Sequence, residues 1–436
     1  MEIDVLKLIT KFESRERPRL NMLYEYYIGR HAILNAVKPS DKPNNRVVTN
    51  FAKNIVNNTT GYLLGRPVTY NCADEKLSET VQEIIKYNDD AFVNTQIAKD
   101  LSVFGRAAEL IYLDEDQKIR YAKINPMNLI VKRYDDIESE IEYAIRWYDV
   151  FDDDDKHTRY IEVYDSEKID FYVFDGALKH TETKRHYFGM VPVNEYQNND
   201  DFTGDFEDVI SLIDAYNTMQ SESVNDFQAF ADAYLLVKNM VVDDELKEKM
   251  RSAHILETYE DGDASFMVKQ VNDTYVENIK DRLQKDIYIA SNTVNMSDEN
   301  FSQNASGVSI EYKLMNFENR VSVTERYFKR GIQRRFEMIC NFLNLKGATF
   351  DYTLIEPVFV RNIPRNVPEI VTEVTQLDGI VSKRTLLSQL PFVEDVDKEL
   401  EELSKEREQY ETDNFGEVDD GDEGDGLLEQ EDKQDI

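Results

Sequence analysis

Between residues 310 and 343 bulky apolar side chains recur at Ile310, Leu314, Phe317, Val321, Phe328, Ile332, Phe336, Ile339 and Leu343. Gaps of three, four and seven residues put all nine on one face of an α-helix. At 1.5 Å per residue that helix reaches about 50 Å, more than the diameter of a small domain. The rest of the chain has to be arranged around a rod. Gly331 interrupts it, in FKRGIQRR. A mid-helix glycine costs about 1 kcal/mol relative to alanine, so either a neighbour approaches closely or the helix bends there. We read it as a bend.

Two further helices precede the rod. In one, Val276, Ile279, Leu283, Ile287, Ala290 and Val294 recur at helical spacing, which predicts about 24 residues and about 36 Å. The other spans 206–229, where Asp205 can cap the start and Val209, Ile213, Tyr216, Val224 and Phe227 form a stripe. Between them, 230–271 alternates strand-like runs with a short charged helix, a piece too small to be stable alone. Between the second helix and the rod lies NMSDENFSQNASGVS, residues 295–309, whose only bulky apolar members are Met296, Phe301 and Val308. That is a long and polar connection for a helical hairpin.

The flanking regions read as mixed structure. Residues 1–100 are mainly helical: Val48, Phe51, Ile55 and Tyr62 share a face that Gly65 and Pro67 terminate. From Ala107 to Met190 the period changes to two, predicting an antiparallel meander. Its FDDDDKH run, 151–157, reads as a solvated hairpin turn. FDYTLIEPVFVRNIPRN predicts an edge or irregular strand, and 368–412 is helical again, divided at Pro391. The fold class is α+β.

Charge narrows the function. Acids outnumber bases 86 to 51, a net charge of −35, and such a surface repels nucleic acid. The last 24 residues, 413–436, hold eleven acids and one lysine and read as a disordered tail. Its DGDEGDG run fails the EF-hand template: Asp420 and Asp422 fit, but Gly424 stands at the fifth position. No apolar run is long enough to span a membrane, and the acidic start is unlike a signal peptide, so the expected site of assembly is the cytoplasm. Cys72 and Cys340 lack CxxC partners and read as ordinary thiols. His31, His157, His180, His186 and His254 are scattered, with His180 and His186 in a polar stretch read as loop. Phosphate-loop, dinucleotide, zinc-protease and serine-hydrolase motifs are absent from the sequence. No catalytic residue, metal or cofactor is expected, and the chain reads as not an enzyme.

Four blocks taken in order resemble the portal proteins of tailed bacteriophages, of the type found in long-tailed phages of Gram-positive hosts. They are NNRVVTNFAKNIVNNTTGYLLGRPVTY (44–70), GDFEDVISLIDAYNTMQSESVNDFQAFADAYLLVKNM (204–240), ASGVSIEYKLMNFENRVSVTERYFKRGIQRRF (305–336) and PVFVRNIPRN (357–366). The resemblance implies a ring, normally of twelve subunits, at one capsid vertex, through which double-stranded DNA enters and leaves. It makes 1–205 and 346–363 a wing, 206–229 and 272–295 two stem helices, and 230–271 a clip. It also makes 296–307 a tunnel loop, 308–345 a long wing helix, and 364–412 a crown. The implied partners are a terminase large subunit, a head-tail adaptor, and major capsid and scaffolding proteins.

On that resemblance the loop would present Asn300, Phe301, Ser302, Gln303, Asn304 and Ser306 to DNA. Neutral hydrogen-bonding groups without lysine or arginine touch a phosphate backbone without gripping it. Asp243, Asp244, Lys247 and Lys249 would form the clip docking surface. Val276, Ile279, Leu283 and Ile287 would contact adjacent subunits or, equally, pack against 206–229 of the same chain. Lys280, Arg282 and Lys285 would form local basic rings. The alternative is an acidic cytoplasmic enzyme or regulatory protein with a helical hairpin.

Overall fold

The computed structural model describes residues 4–40, 42–153, 155–231, 234–238, 244, 263–267, 273–295, 307–362, 367–390, 393, 396 and 399–406. They form a mixed α+β structure, about half helical, with antiparallel sheets. The chain divides into two compact units, residues 1–362 and 363–436.

The first unit opens with α1 (Val5–Arg15), α2 (Arg17–Tyr27) and α3 (Phe51–Leu64), followed by β1 (Thr69–Cys72), α4 (Glu75–Asn88) and α5 (Asp90–Phe104). Asp4, Asn50 and Asp74 cap three of these helices through side-chain oxygens. The meander expected from 107 to 190 is two sheets. One has the order β3-β2-β9, from β2 (Arg106–Leu113), β3 (Ile119–Ile124) and β9 (Val193–Gln197). The other is a five-stranded meander of β4 (Leu129–Arg133), β5 (Ile141–Phe151), β6 (His157–Tyr164), β7 (Lys168–Phe174) and β8 (Leu178–Arg185). The acidic run is the β5–β6 turn, closed by an Asp152–Lys156 backbone bond. His180 lies in strand β8 rather than a loop: every residue of that edge strand is exposed, so it carries no apolar alternation to read.

Next come α6 (Ile210–Ala231), the antiparallel pair β10 (Tyr234–Lys238) and β11 (Asp263–Met267), α7 (Asp273–Ala290) and α8 (Gly307–Leu345). Strand β12 (Ile355–Val358) then returns to pair with β1. In the second unit α9 (Val367–Gln376) and α10 (Lys383–Gln389) are separated around Gly379, whose φ of +81° stops the helix that the sequence reading carried on to Pro391.

Helix α8 is 39 residues long and continuous, about 58 Å at the standard rise. Leu314, Phe317, Val321, Phe328, Ile332, Phe336 and Ile339 are all buried, each contributing roughly 1.5–3 kcal/mol of apolar transfer. Close approach is by itself enough to account for Gly331. A methyl there would lie 2.2 Å from Cε1 of Tyr196, and the Gly331 carbonyl accepts a 2.8 Å bond from Asn194 on β9. Asp205 is not a helix cap. Its buried carboxylate accepts from Ser102 (2.5 Å) and Asn198 (2.9 Å) and pairs with Arg320 of α8 at 3.1 Å. It ties α5, the end of β9 and α8 together. Helix α7 ends at Ala290, short of the expected 295, because Asn292 turns left-handed (φ 48°) and Thr293 N–H bonds back to the Tyr288 carbonyl at 2.9 Å.

Candidate functional site

Helices α6 and α7 pack against each other and plant their inner ends in the core under α3. Val209, Ile213 and Ile287 are fully buried in one cluster with Phe51 and Phe206. The Phe51 ring meets Tyr216 and Tyr288 edge-on, with centroids 4.9 and 5.9 Å apart. Ile287 therefore belongs to the core of its own chain and leaves no area for a neighbour, which corrects its assignment as a subunit contact. Val276, Ile279 and Leu283 are half-buried, with apolar area still open. Phe227, toward the outer end of α6, is 82% exposed, and Ile289, at the inner end of α7, is 61% exposed.

The positive charge expected on α7 is largely cancelled within the helix. Lys280 sits 3.0 Å from Glu277, and Arg282 lies 3.8 Å from Asp286. Lys285 is exposed and lines a groove of about 650 Å³ where α7 ends and α8 begins, together with Tyr288, Ile289, Asn292, Asn316 and Phe317. That groove sits at the base of the polar connection. Asn300, Phe301, Ser302, Gln303, Asn304 and Ser306 lie outside the described residues, as do Asp243, Lys247 and Lys249. Asp244 is helical and exposed.

One feature of α6 escaped the sequence reading. Asn217, Ser221 and Asn225, one turn apart, are buried, and each accepts a backbone N–H from an extended strap: Thr49 (2.8 Å), Val47 (2.9 Å) and Asn45 (2.7 Å). A helical turn advances about 5.4 Å and two extended residues about 6.6 Å, close enough for three rungs to match. Lys38 adds an ion pair to Glu222. The signal was a polar stripe of Asn and Ser at i, i+4 and i+8, which looks like a solvent face but lacks charge. At its inner end Asn217 also donates to Nδ1 of buried His31 (2.8 Å), so the Nε2–H of His31 is left to donate to the Tyr26 carbonyl at 2.9 Å. The Tyr26 ring stacks on His31, and its hydroxyl donates to Asp214 of α6 at 2.8 Å.

A family model described as "Phage portal protein, SPP1 Gp6-like" matches residues 6–413. The chain belongs to that family. The portal protein of Bacillus phage SPP1 is 26% identical over 412 residues, covering 90% of this chain and 82% of the relative. The portal protein of Clostridium phage phiCD119 is 25% identical over 433 residues, covering 91% and 94%. A portal protein is a structural, non-enzymatic component of the virion capsid, which removes the acidic-enzyme alternative. Family membership also implies an oligomeric ring with DNA passage. Among the described residues no helix is long and apolar enough to cross a membrane.

In this portal chain the strap and His31 clamp the N-terminal helices to α6, and the clamp is sensitive to acid. Burial lowers the pKa of His31 from its ordinary 6.5, despite the hydrogen bond to Tyr26 and the charge of Asp214. The unfolded chain thus takes up a proton that the folded chain refuses. Stability from this residue is complete above pH 6.5 and declines as pH falls from there toward the lowered value. His186, also lowered by burial, contributes with the same sign. Urea midpoints at pH 7.5 and 5.5 should therefore differ less in His31→Gln than in the parent. Equal differences would show that His31 titrates alike in both states.

Proposed function

We propose that twelve copies of this chain close into a ring at one capsid vertex and form the conduit for DNA packaging and ejection. The observation that carries the reading is the family match over residues 6–413. A helix, a small β-containing excursion, a second helix and then a 39-residue helix, in that order, support it. In this reading 1–205 and 346–363 are the wing, 206–229 and 272–295 the stem, and 230–271 the clip. Residues 296–307 are the tunnel loop, 308–345 the long wing helix, 364–412 the crown, and 413–436 an acidic tail. The clip, with Asp243, Asp244, Lys247 and Lys249, takes the terminase large subunit and later the head-tail adaptor. Major capsid and scaffolding proteins are its further partners in this reading.

The charge suits a conduit. The tail contributes −10 (eleven acids, one base) to the total of −35, leaving −25 on each body and about −300 on twelve. A wall that repels phosphate does not hold DNA in place, and every contact formed must break for the strand to advance. Mass in solution tests the ring. Twelve copies of 51.0 kDa give about 610 kDa, with a central hole in electron micrographs; a monomer or dimer at every concentration would refute it.

The loop makes a separate prediction. Removing part of 298–305 should leave ring mass unchanged while DNA packaging or retention drops. Normal packaging by such rings would remove the loop from the DNA path.

A further inference from the structure

Helix α8 has a second stripe. Tyr312, Met315, Asn319, Val323, Arg326 and Arg330 are all exposed, and they recur at steps of 3, 4, 4, 3 and 4. At 100° per residue they share one side of the helix, opposite the buried stripe of Leu314, Phe317, Val321, Phe328 and Ile332. The exposure is large: 74% for Tyr312, 54% for Met315 and 40% for Val323. Over about 27 Å, the eighteen steps from Tyr312 to Arg330, the described residues of the first unit leave this side uncovered.

The two arginines are unusual in their surroundings. The other three arginines of α8 each have a carboxylate: Arg320 has Asp205, Arg334 has Glu140, and Arg335 has Glu109 and Asp90. Among the described residues Arg326 and Arg330 reach none, in a chain with 86 acids to 51 bases. Scarcity of acids is not the reason.

We propose that this stripe is the seat for the acidic side of a second copy of the chain, and so a contact along which the ring closes. The inference rests on the ring reading above and names the surface. Three observations support protein over DNA as the occupant. The stripe joins Tyr, Met and Val to Arg and contains no Lys, Asp or Glu, which is the composition of a protein interface core. A phosphate backbone gains nothing from Met315 and Val323. Arginine is also the cation that best tolerates partial burial against carboxylates. Pairing the stripe with itself would leave four arginines without a carboxylate in either helix orientation, because it contains no acid. A patch that supplies the acids is a different patch, so the contact is heterologous, and repeated heterologous contacts form a ring where their rotation closes.

The test uses the full-length chain and measures ring mass by sedimentation across concentration. Arg326→Glu/Arg330→Glu should raise the concentration at which rings dissociate by at least tenfold, with unchanged circular dichroism. Met315→Lys/Val323→Lys should do the same without reversing any arginine. A charge-matched control on α1, Lys7→Glu/Lys11→Glu, should dissociate like the parent. If the control falls apart equally, net charge explains the effect and the stripe has no special role. If both stripe variants form stable rings, the proposal is wrong, and altered DNA packaging by those rings would reassign the stripe to DNA. A parent that never forms rings would refute the ring reading itself, an outcome that needs no variant. Should a glutamate variant misfold, Arg326→Gln/Arg330→Gln must still weaken the ring, or the proposal fails.

Discussion

Arg335→Met should destabilise the subunit by about 3–5 kcal/mol, the usual cost of removing one partner from a buried charge cluster. Arg335 is fully buried and holds Glu109 through three contacts of 2.7 to 3.0 Å, Asp90 at 2.7 Å and the Asn94 side-chain oxygen at 2.9 Å. Its guanidinium lies 4.3 Å over the Tyr121 ring. Three tyrosine hydroxyls complete the shell, Tyr70 and Tyr121 donating to Asp90 and Tyr196 to Glu109. Burial, then the neighbouring carboxylates, keeps the Tyr70 and Tyr196 hydroxyls protonated well past their ordinary 10, so they remain donors. Without the arginine, two carboxylates stay in the core with hydrogen bonds but no countercharge.

The comparison that identifies the cause is a neutral cluster. Arg335→Met combined with Glu109→Gln and Asp90→Asn should recover much of the loss, because no bare charge remains. Arg335→Lys should fall between, since an ammonium cannot serve both carboxylates with a planar fork. Urea midpoints of the isolated subunit measure all three. A methionine variant within about 0.5 kcal/mol of the parent would mean the cluster is hydrated and not a core element. The cluster is what fastens α8 to α5 and β2, so its loss should loosen the long helix first.

What the sequence made legible was set by how far each element's pattern depends on its own residues. The apolar stripe of α8 announced itself because one face of a long helix is buried along its length, and the structure places seven of the nine predicted positions in the core. Strands β5, β6 and β7 carry aromatic and branched residues on a packed face and were equally visible. Strand β8 was not, since LKHTETKR has no buried side and is held to β7 by backbone pairing and exposed polar contacts such as Thr183 to Asp170. The strap along α6 was invisible for a related reason. Residues 45–49 have no partner strand, and their hydrogen bonds go to side chains about 170 to 180 positions away. Ile287 was legible as apolar and helical, but whether an apolar helix face meets its own chain or another is decided by the fold. The α8 cluster shows the same limit: nothing local to ERYFKRGIQRRF tells which arginine is buried.

Gly331 provides the second large effect, and it separates the two explanations a mid-helix glycine allows. If the helix needed freedom to bend there, Gly331→Ala would gain most of the roughly 1 kcal/mol of helix propensity. The structure sets a larger cost against that gain. The new methyl would stand 2.2 and 2.3 Å from two carbons of the Tyr196 ring. The ring cannot retreat: it is buried, its hydroxyl is bonded to Glu109 at 2.7 Å, and Phe328 packs on it with centroids 5.2 Å apart. Overpacking of this kind costs about 1–3 kcal/mol or more, so the net sign should be destabilising, and Gly331→Val should be worse. The decisive measurement is a double-mutant cycle. In a Tyr196→Ala background the obstacle is gone, and Gly331→Ala should become neutral or stabilising, with a coupling above about 1 kcal/mol between the two sites. A methyl that stabilises the chain with Tyr196 in place would return the glycine to the bending explanation, because contact with that ring would then not be what requires it.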